Sequence, residues 1–283
     1  SGECRVHVCE ATGGGARVTR DGGLFRPWMW ASAEPVAGGM EVEPLSGAGR
    51  MNKLLSFDSM EVFRAASSDR SLESEAIKPV EAQYLVAERL RFFCDMGFDE
   101  LRRLTLSLEV DSGGDEPDPM NTAHRIQGIG LILPDGKSEI LTPGEGSSAE
   151  RDLLVRFGDV ILQCDPDVVE GHKVGDFALD FLIRRAKRLR VPALWGRFGA
   201  VASSRRSRMR IAERWLDFNR ADIPGRSVFD SFPAAQIYDI TARELSGYEL
   251  EDVAEHFGCM LPDAAGADPA SSLVRSLALQ RGI

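Results

Sequence analysis

Phe98-Asp-Glu-Leu-Arg-Arg-Leu-Thr-Leu-Ser-Leu-Glu109 decides how this chain is read. Leu104, Leu106, Leu108 and Val110 alternate with Thr105, Ser107 and Glu109. A period of two is that of a β-strand, so Ser107 and Glu109 share one face and the leucines take the other.

Outward from this strand, Gln127 to Leu133 reads as a second strand. Pro134-Asp-Gly136 reads as a turn and Glu139 to Leu141 as the other hairpin arm. Ser147-Ser-Ala-Glu150 has the pattern of a capping box, and Leu153, Leu154, Phe157, Val160 and Ile161 form the apolar stripe of the helix behind it. Asp167 to Glu170 is a short strand leading into Gly171. Asp176 to Leu189 is a helix with Leu179, Leu182, Ile183 and Ala186 on its buried side. Arg197 to Ile211 predicts a basic hairpin, Val228 to Phe232 a strand, and Leu250 to Phe257 a helix closed by Gly258. Strands followed by alternating helices and strands imply an α/β layer architecture.

Residues 1–97 predict a smaller α+β domain ahead of this unit. Arg5 to Cys9 alternates like a strand, Gly13 to Gly15 and Asp21 to Gly23 read as turns, and Phe25 to Trp30 as another strand. Asp58 to Ala66 and Pro79 to Cys94 have helical spacing, the second with Val80, Tyr84, Leu85 and Leu90 near one face.

The chain has 283 residues, enough for one large domain or two modest ones, and begins Ser1-Gly2 as a trimmed chain does. It contains no run of about 18 apolar residues and no leading apolar segment, which predicts neither a membrane span nor a secretory signal. Its five cysteines are scattered and odd in number, arguing for a reducing, cytoplasmic setting. Cys4, His7 and Cys9 fit strand alternation better than any zinc spacing. Net charge is −10, yet Phe181 to Arg226 carries thirteen Lys or Arg against Glu213, Asp217 and Asp222. That split predicts a local basic surface on an acidic body.

Phe98 to Glu109, Asp165-Pro-Asp-Val-Val-Glu-Gly-His172 and Gly247-Tyr-Glu-Leu-Glu-Asp-Val-Ala-Glu-His-Phe-Gly258 together resemble the 3′–5′ exonuclease domain of bacterial family B DNA polymerases. The resemblance covers residues 98–283. It continues more weakly through Phe25 to Trp28 and Leu54 to Phe63, which look like that family's N-terminal domain. The fold it implies is ribonuclease H-like: a mixed sheet flanked by helices. The chemistry it implies is phosphodiester hydrolysis by two Mg²⁺ ions held among four carboxylates.

Against the family's motifs this chain is depleted. The first, Asp-x-Glu, matches Ser107-Leu-Glu109: the aspartate is gone and Glu109 remains. The second, with Phe-Asp after a Gly-aromatic-Asn turn, matches Gly171-His-Lys173 and then Phe177-Ala178, so Lys173 and Ala178 replace asparagine and aspartate. The third, Tyr-x-x-x-Asp, fits by position at Leu277-Ala-Leu-Gln-Arg281, with Leu277 for the tyrosine and Arg281 for the aspartate. These replacements predict a degenerate site without cofactor or resident metal, in which Arg281 and Lys173 approach Glu109 in place of the ions. Mg²⁺ is expected only if neighbours such as Asp111 rescue the site. Asp176 and Asp180 have the wrong helical offset from Ala178, and Asp252 sits in the helix before the third motif. His172 and His256 read as turn or surface histidines sooner than as bases.

The resulting expectation is a catalytically inactive, exonuclease-like protein that binds DNA, single-stranded or primer-template, as an accessory factor in replication or repair. Arg197, Arg205, Arg206, Arg208 and Arg210 are its expected phosphate contacts. Trp195, Phe198 and Trp215 can stack on bases, although Trp195 and Trp215 fit a core better. The alternatives are a protein-interaction module serving a polymerase or repair partner, and a residual metal-dependent 3′–5′ exonuclease.

Overall fold

The computed structural model describes residues 4–12, 17–35, 38–93, 96–259 and 268–282. The chain divides into two compact units, residues 1–100 and 101–283.

In the leading unit, β1 (Cys4–Ala11) and β2 (Arg17–Phe25) pair antiparallel. β3 (Trp28–Ala31), β4 (Met40–Pro44), β5 (Lys53–Phe57) and β6 (Ser74–Glu75) form a second sheet in the order β4-β5-β3-β6, accompanied by α1 (Met60–Ser68) and α2 (Val80–Ala87). Met29, Leu55, Phe57 and Phe63 are its core. Asp21 to Gly23 is not a turn: it lies within β2, where Gly22 is the extra residue of a bulge and Gly23 has φ +84°. The expected strand from Phe25 to Trp30 is broken at Arg26 and Pro27, because proline offers no N–H to a ladder. The second expected helix stops at Ala87, where Arg89 turns left-handed. Its buried residue is Gln83, whose amide accepts from Trp28 N at 2.8 Å and donates to Ile77 O at 3.0 Å. The turn expected at Gly13 to Gly15 and the helix end expected at Cys94 lie outside the described residues.

The second unit is built on a five-stranded mixed sheet. Its strands are β7 (Arg103–Asp111), β8 (Arg125–Ile132), β9 (Ser138–Leu141), β10 (Val168–Gly171) and, after the hairpin of β11 (Ser203–Ile211) and β12 (Arg214–Asp222), β13 (Ser227–Asp230). The order is β13-β10-β7-β8-β9. β7, β10 and β13 run parallel; β8 is antiparallel to β7, and β9, antiparallel to β8, runs in the direction of β7 again. This is the ribonuclease H-like arrangement, with β7 at its centre.

The helices are α3 (Ala149–Cys164), α4 (Asp180–Arg188), α5 (Ser231–Ala242), α6 (Leu250–His256) and α7 (Pro269–Gly282). Leu104, Leu106 and Leu108 point into a core shared with Ile129 and Leu131, Phe157 and Ile161 of α3, and Phe181 and Leu182 of α4. Each such side chain contributes roughly 1.5–3 kcal/mol on burial. Trp195 joins them edge-on to Phe157, ring centres 5.0 Å apart.

Two local expectations change. The capping box at Ser147 to Glu150 does not form. Ser148 is the N-cap, its hydroxyl donates to Asp152 at 2.9 Å, and Glu150 is drawn away to Ile126 N (2.8 Å) and the buried Arg185 (3.2 Å). The helix expected from Asp176 begins earlier, as a π-helical turn over Val174–Leu179 that continues into α4.

Candidate functional site

The face of β7 opposite the core carries Ser107 and Glu109, and α7 lies across it. Ser107 Oγ meets Ser276 Oγ at 2.8 Å, Ser272 Oγ donates to Glu109 Oε2 at 3.0 Å, and Gln280 Nε2 donates to Ser276 Oγ at 3.1 Å. Residues 272, 276 and 280 are four apart, so one stripe of the helix supplies all three groups. The sequence allows this close seating because β8 presents Gly128 and Gly130 opposite Glu109 and Ser107. A methyl group at Gly128 would lie 2.8 Å from Leu273 Cδ1, and one at Gly130 would lie 3.0 Å from Leu277 Cδ1. Gly171 completes the floor: a methyl group there would meet Leu106 O at 2.6 Å and Gln280 Oε1 at 2.8 Å.

The pairing of Arg281 and Lys173 with Glu109 expected from sequence is corrected. Arg281 follows Leu273 and Leu277 on the neighbouring stripe, which runs over β8, and its guanidinium lies by Gly136 of the β8–β9 turn. It is nine residues beyond Ser272, about 14 Å along the axis at 1.5 Å per residue. Leu277 is buried against Gly130 and lines, with Ile132, Ile140 and Arg281, a cleft of about 370 Å³. Lys173 adopts a left-handed backbone (φ +54°) and pairs with Glu249 at 2.7 Å, 4.9 Å above the Phe232 ring. Ala178 is buried in the apolar core. Sequence reasoning missed Ser272 and Ser276. The available signal was the spacing Ser272-Leu-Val-Arg-Ser276, the same i, i+4 interval as the pair sought at Leu277 and Arg281.

The other acids have separate tasks. Asp176 accepts from Asn219 N at 2.6 Å. Asp180 accepts from Ser204 and from Arg184 (2.8 Å). Asp252 and Glu249 cap α6 reciprocally. Asp111 is exposed, accepts from Gly113 N at 3.1 Å, and shares with Glu109, Gln127 and Pro269 an open hollow of about 410 Å³. Among the described residues, no group of three or more His, Cys, Asp or Glu side chains is placed to hold a metal ion. Two hydroxyls bound to each other beside Glu109 offer Mg²⁺ fewer anionic oxygens than a four-carboxylate site.

His172 Nδ1 lies 3.0 Å from Ser231 Oγ; burial pushes its pKa down, opposed by the nearby Asp230 carboxylate. His256 packs on Tyr238 and Phe257.

The basic segment folds into a smaller cationic surface than its composition implies. Arg185 is buried with Glu150, and Arg226 is buried against Asp165 (2.6 Å). Arg197, expected to grip phosphate, is corrected: it is nearly buried and paired with Asp165 at 3.0 Å and Asp167 at 2.9 Å. Burial works against the Asp165 charge, but Arg197 and Arg226 hold its carboxyl below the usual range.

The hairpin expected from Arg197 to Ile211 is shifted along the chain: β11 is its first arm, β12 its second, and Arg197 lies before it in a short turn. Arg206, Arg208 and Arg210 alternate on one face, opposite Asn219, Asp217 and Trp215. Arg208 pairs with Asp217 at 2.6 Å and lies 5.6 Å from the Trp215 ring centre. Trp215 is 61% exposed, which corrects its expected core placement, whereas Trp195 is 1% exposed. Arg205 is on the other face and shares Asp222 with Arg220. Phe198 is exposed. No helix among the described residues is long and apolar enough to cross a membrane.

A profile of the family described as DNA polymerase family B, exonuclease domain, matches residues 52–253. The DNA polymerase delta catalytic subunit of Dictyostelium discoideum is 32% identical over 114 residues, 38% of this chain and 10% of that protein. A DNA polymerase of Archaeoglobus fulgidus is 28% identical over 188 residues, 66% of this chain and 21% of that protein. The chain therefore spans between a tenth and about a fifth of the length of these relatives. The solved family B DNA polymerase of the archaeon Pyrobaculum calidifontis superposes with a TM-score of 0.67 at 22% identity, over 99% of this chain and 43% of that one. At that identity the likeness bears on fold.

Proposed function

The chain belongs to the exonuclease domain family of DNA polymerase family B, and on that premise we propose that it is a catalytically inactive exonuclease-like protein that binds DNA, a cytoplasmic accessory factor in replication or repair. One observation carries this reading: Ser107 and Ser276 meet hydroxyl to hydroxyl at 2.8 Å on the central strand, and the neighbouring Glu109 carboxylate accepts from Ser272. In this reading the third-motif positions are taken to be Ser272 and Ser276, which face β7, in place of Leu277 and Arg281; their contacts with Glu109 and Ser107 support it. Two hydroxyls and a buried methyl at Ala178 then stand where the chemistry calls for three carboxylates. One negative charge cannot balance two divalent cations, so no activated water is generated. α7 is held to the sheet by its own side chains.

Retention of DNA falls to the hairpin. Arg206 and Arg210 supply charge to phosphates, and Trp215 offers a ring to an unstacked base. Arg205 and Arg208 contribute less, since Asp222 and Asp217 already balance them.

The test is incubation of pure protein with labelled single-stranded and primer-template DNA in Mg²⁺ or Mn²⁺. The expected result is a retarded complex at low salt and full-length DNA at every time point. Shortened product formed in proportion to protein would restore the exonuclease reading. Failure of either substrate to bind at low salt would remove the DNA role.

A further inference from the structure

α5 is turned the wrong way round for a surface helix. Its sequence, Ser231-Phe-Pro-Ala-Ala-Gln-Ile-Tyr-Asp-Ile-Thr-Ala242, is largely apolar, yet Ala235 is its one buried residue. At 100° per residue, Pro233, Ala234, Ile237, Tyr238, Ile240 and Thr241 fall within one arc of about 160°. That arc faces outward: Ile237 is 51% exposed, Tyr238 41% and Ile240 43%. Phe257, at the end of α6 and 50% exposed, extends it, with its ring centre 5.4 Å from that of Tyr238. Tyr238 is fixed by a 3.2 Å hydrogen bond between its hydroxyl and His256 Nε2. Ile237, Tyr238, Ile240 and Phe257 make a contiguous exposed apolar surface, the kind that marks interaction sites on single chains.

Charge narrows the occupant. Residues 236–258 carry six acids against Arg243. Glu251 and Glu255 are exposed along α6, and Glu244 is exposed 3.9 Å from His256, which itself packs on Phe257 and Tyr238. An acid-rimmed apolar face repels nucleic acid and anionic lipid. It also repels its own image in a two-fold dimer, since like charges would meet at the rim. A helix with apolar anchors at i, i+3, i+4 and i+7 and lysine or arginine on its flanks satisfies both the patch and the rim.

We propose that the outward face of α5, with Phe257, is a docking surface for a basic amphipathic helix of a protein partner. This inference is independent of the DNA reading, because the hairpin contributes nothing to it. Tyr238 and Phe257 are the anchors that give affinity, and the acids select the sign of the partner.

The probe is a synthetic helix-forming peptide of about 18 residues with leucine at helical spacing and lysine elsewhere, with a glutamate-for-lysine peptide as control. Binding to the whole chain is read by fluorescence anisotropy. The lysine peptide is expected to bind and to weaken with salt; the glutamate peptide is not. Ile237→Ser with Ile240→Ser is expected to weaken binding about tenfold or more. Tyr238→Ala, which removes an anchor, is a second variant expected to weaken binding by a similar factor, and circular dichroism checks that each is folded. Arg206→Ala with Arg210→Ala is expected to leave peptide binding unchanged. The proposal is overturned if neither peptide binds, if both bind alike, or if the α5 variants bind as well as the parent. It is also overturned if sedimentation shows self-association that the α5 variants abolish, which would assign this face to a second copy.

Discussion

Replacing Ser107 and Ser276 together by aspartate tests the central reading most directly. The exchange removes the 2.8 Å hydroxyl contact, a loss of about 1 kcal/mol. It also brings two carboxylates to within about 4 Å of each other, close to Glu109. At an effective dielectric of about 20, each like-charge pair at that separation costs about 4 kcal/mol, part of which is relieved by protonation of one partner. Without metal the double variant is therefore expected to lose about 3–5 kcal/mol, a large part of the 5–15 kcal/mol typical of a domain. It has, however, gained the anions a divalent cation needs. Saturation with Mn²⁺ at a hundredfold excess over Kd returns about 2.7 kcal/mol, or roughly 5–10 °C in melting temperature for a unit of this size. Thermal denaturation followed by circular dichroism, with and without Mn²⁺, gives the readout. The parent chain is expected to shift by less than about 1 °C. If the parent is stabilised by Mn²⁺ as strongly as the variant, the site still holds metal and the inactive reading fails. If the variant ignores metal, Ser107 and Ser276 are not the facing positions.

Other consequences follow from the same packing. Arg226→Ala leaves the Trp195 carbonyl without its donor and Asp165 and the Pro166 carbonyl with Arg197 as their remaining one, and is expected to cost about 1–3 kcal/mol in urea unfolding. Because the folded-state pKa of Asp165 is depressed, its contribution is complete above the unfolded value of about 3.9 and is lost as pH falls through the lower folded value. Asp165→Asn should flatten that acid limb of a stability-against-pH curve while lowering stability at pH 7. Gly171→Ala drives a methyl into the Leu106 carbonyl and is expected to cost about 1–3 kcal/mol, measured by the same urea titration. Arg206→Ala with Arg210→Ala should reduce the slope of log affinity against log salt by up to about 1 per arginine, read by DNA titrations at several salt concentrations. Arg197→Ala should lower stability, its charge being held by Asp165 and Asp167.

Much of the fold was legible because its signals are local. The alternation from Leu104 to Val110 specified a strand and the faces of Ser107 and Glu109, since side-chain direction along a strand has a fixed period. The apolar stripes of α3 and α4 specified their buried sides for the same reason. Where the expectation failed, a distant partner had intervened. Glu150 left its capping box for Arg185, which reaches it from 35 residues away, and Gln83 took the core position of α2 because Trp28 N needed an acceptor. A basic hairpin was readable, but not its second arm, which lies beyond the expected 197–211, nor which of its arginines are balanced by acids.

The sequence by itself determined the family, the α/β architecture, the shared face of Ser107 and Glu109, and a basic stretch, all of which rest on residue identity and short-range spacing. Only the tertiary structure decided that Ser272 and Ser276, not Leu277 and Arg281, confront β7, that Arg197 is held inside while Trp215 stands outside, and that α5 turns its apolar arc outward. Each of these depends on the rotation of a helix or hairpin about its own axis. That rotation is fixed by what it packs against, such as the glycines of β8 beneath α7, and those neighbours are remote along the chain.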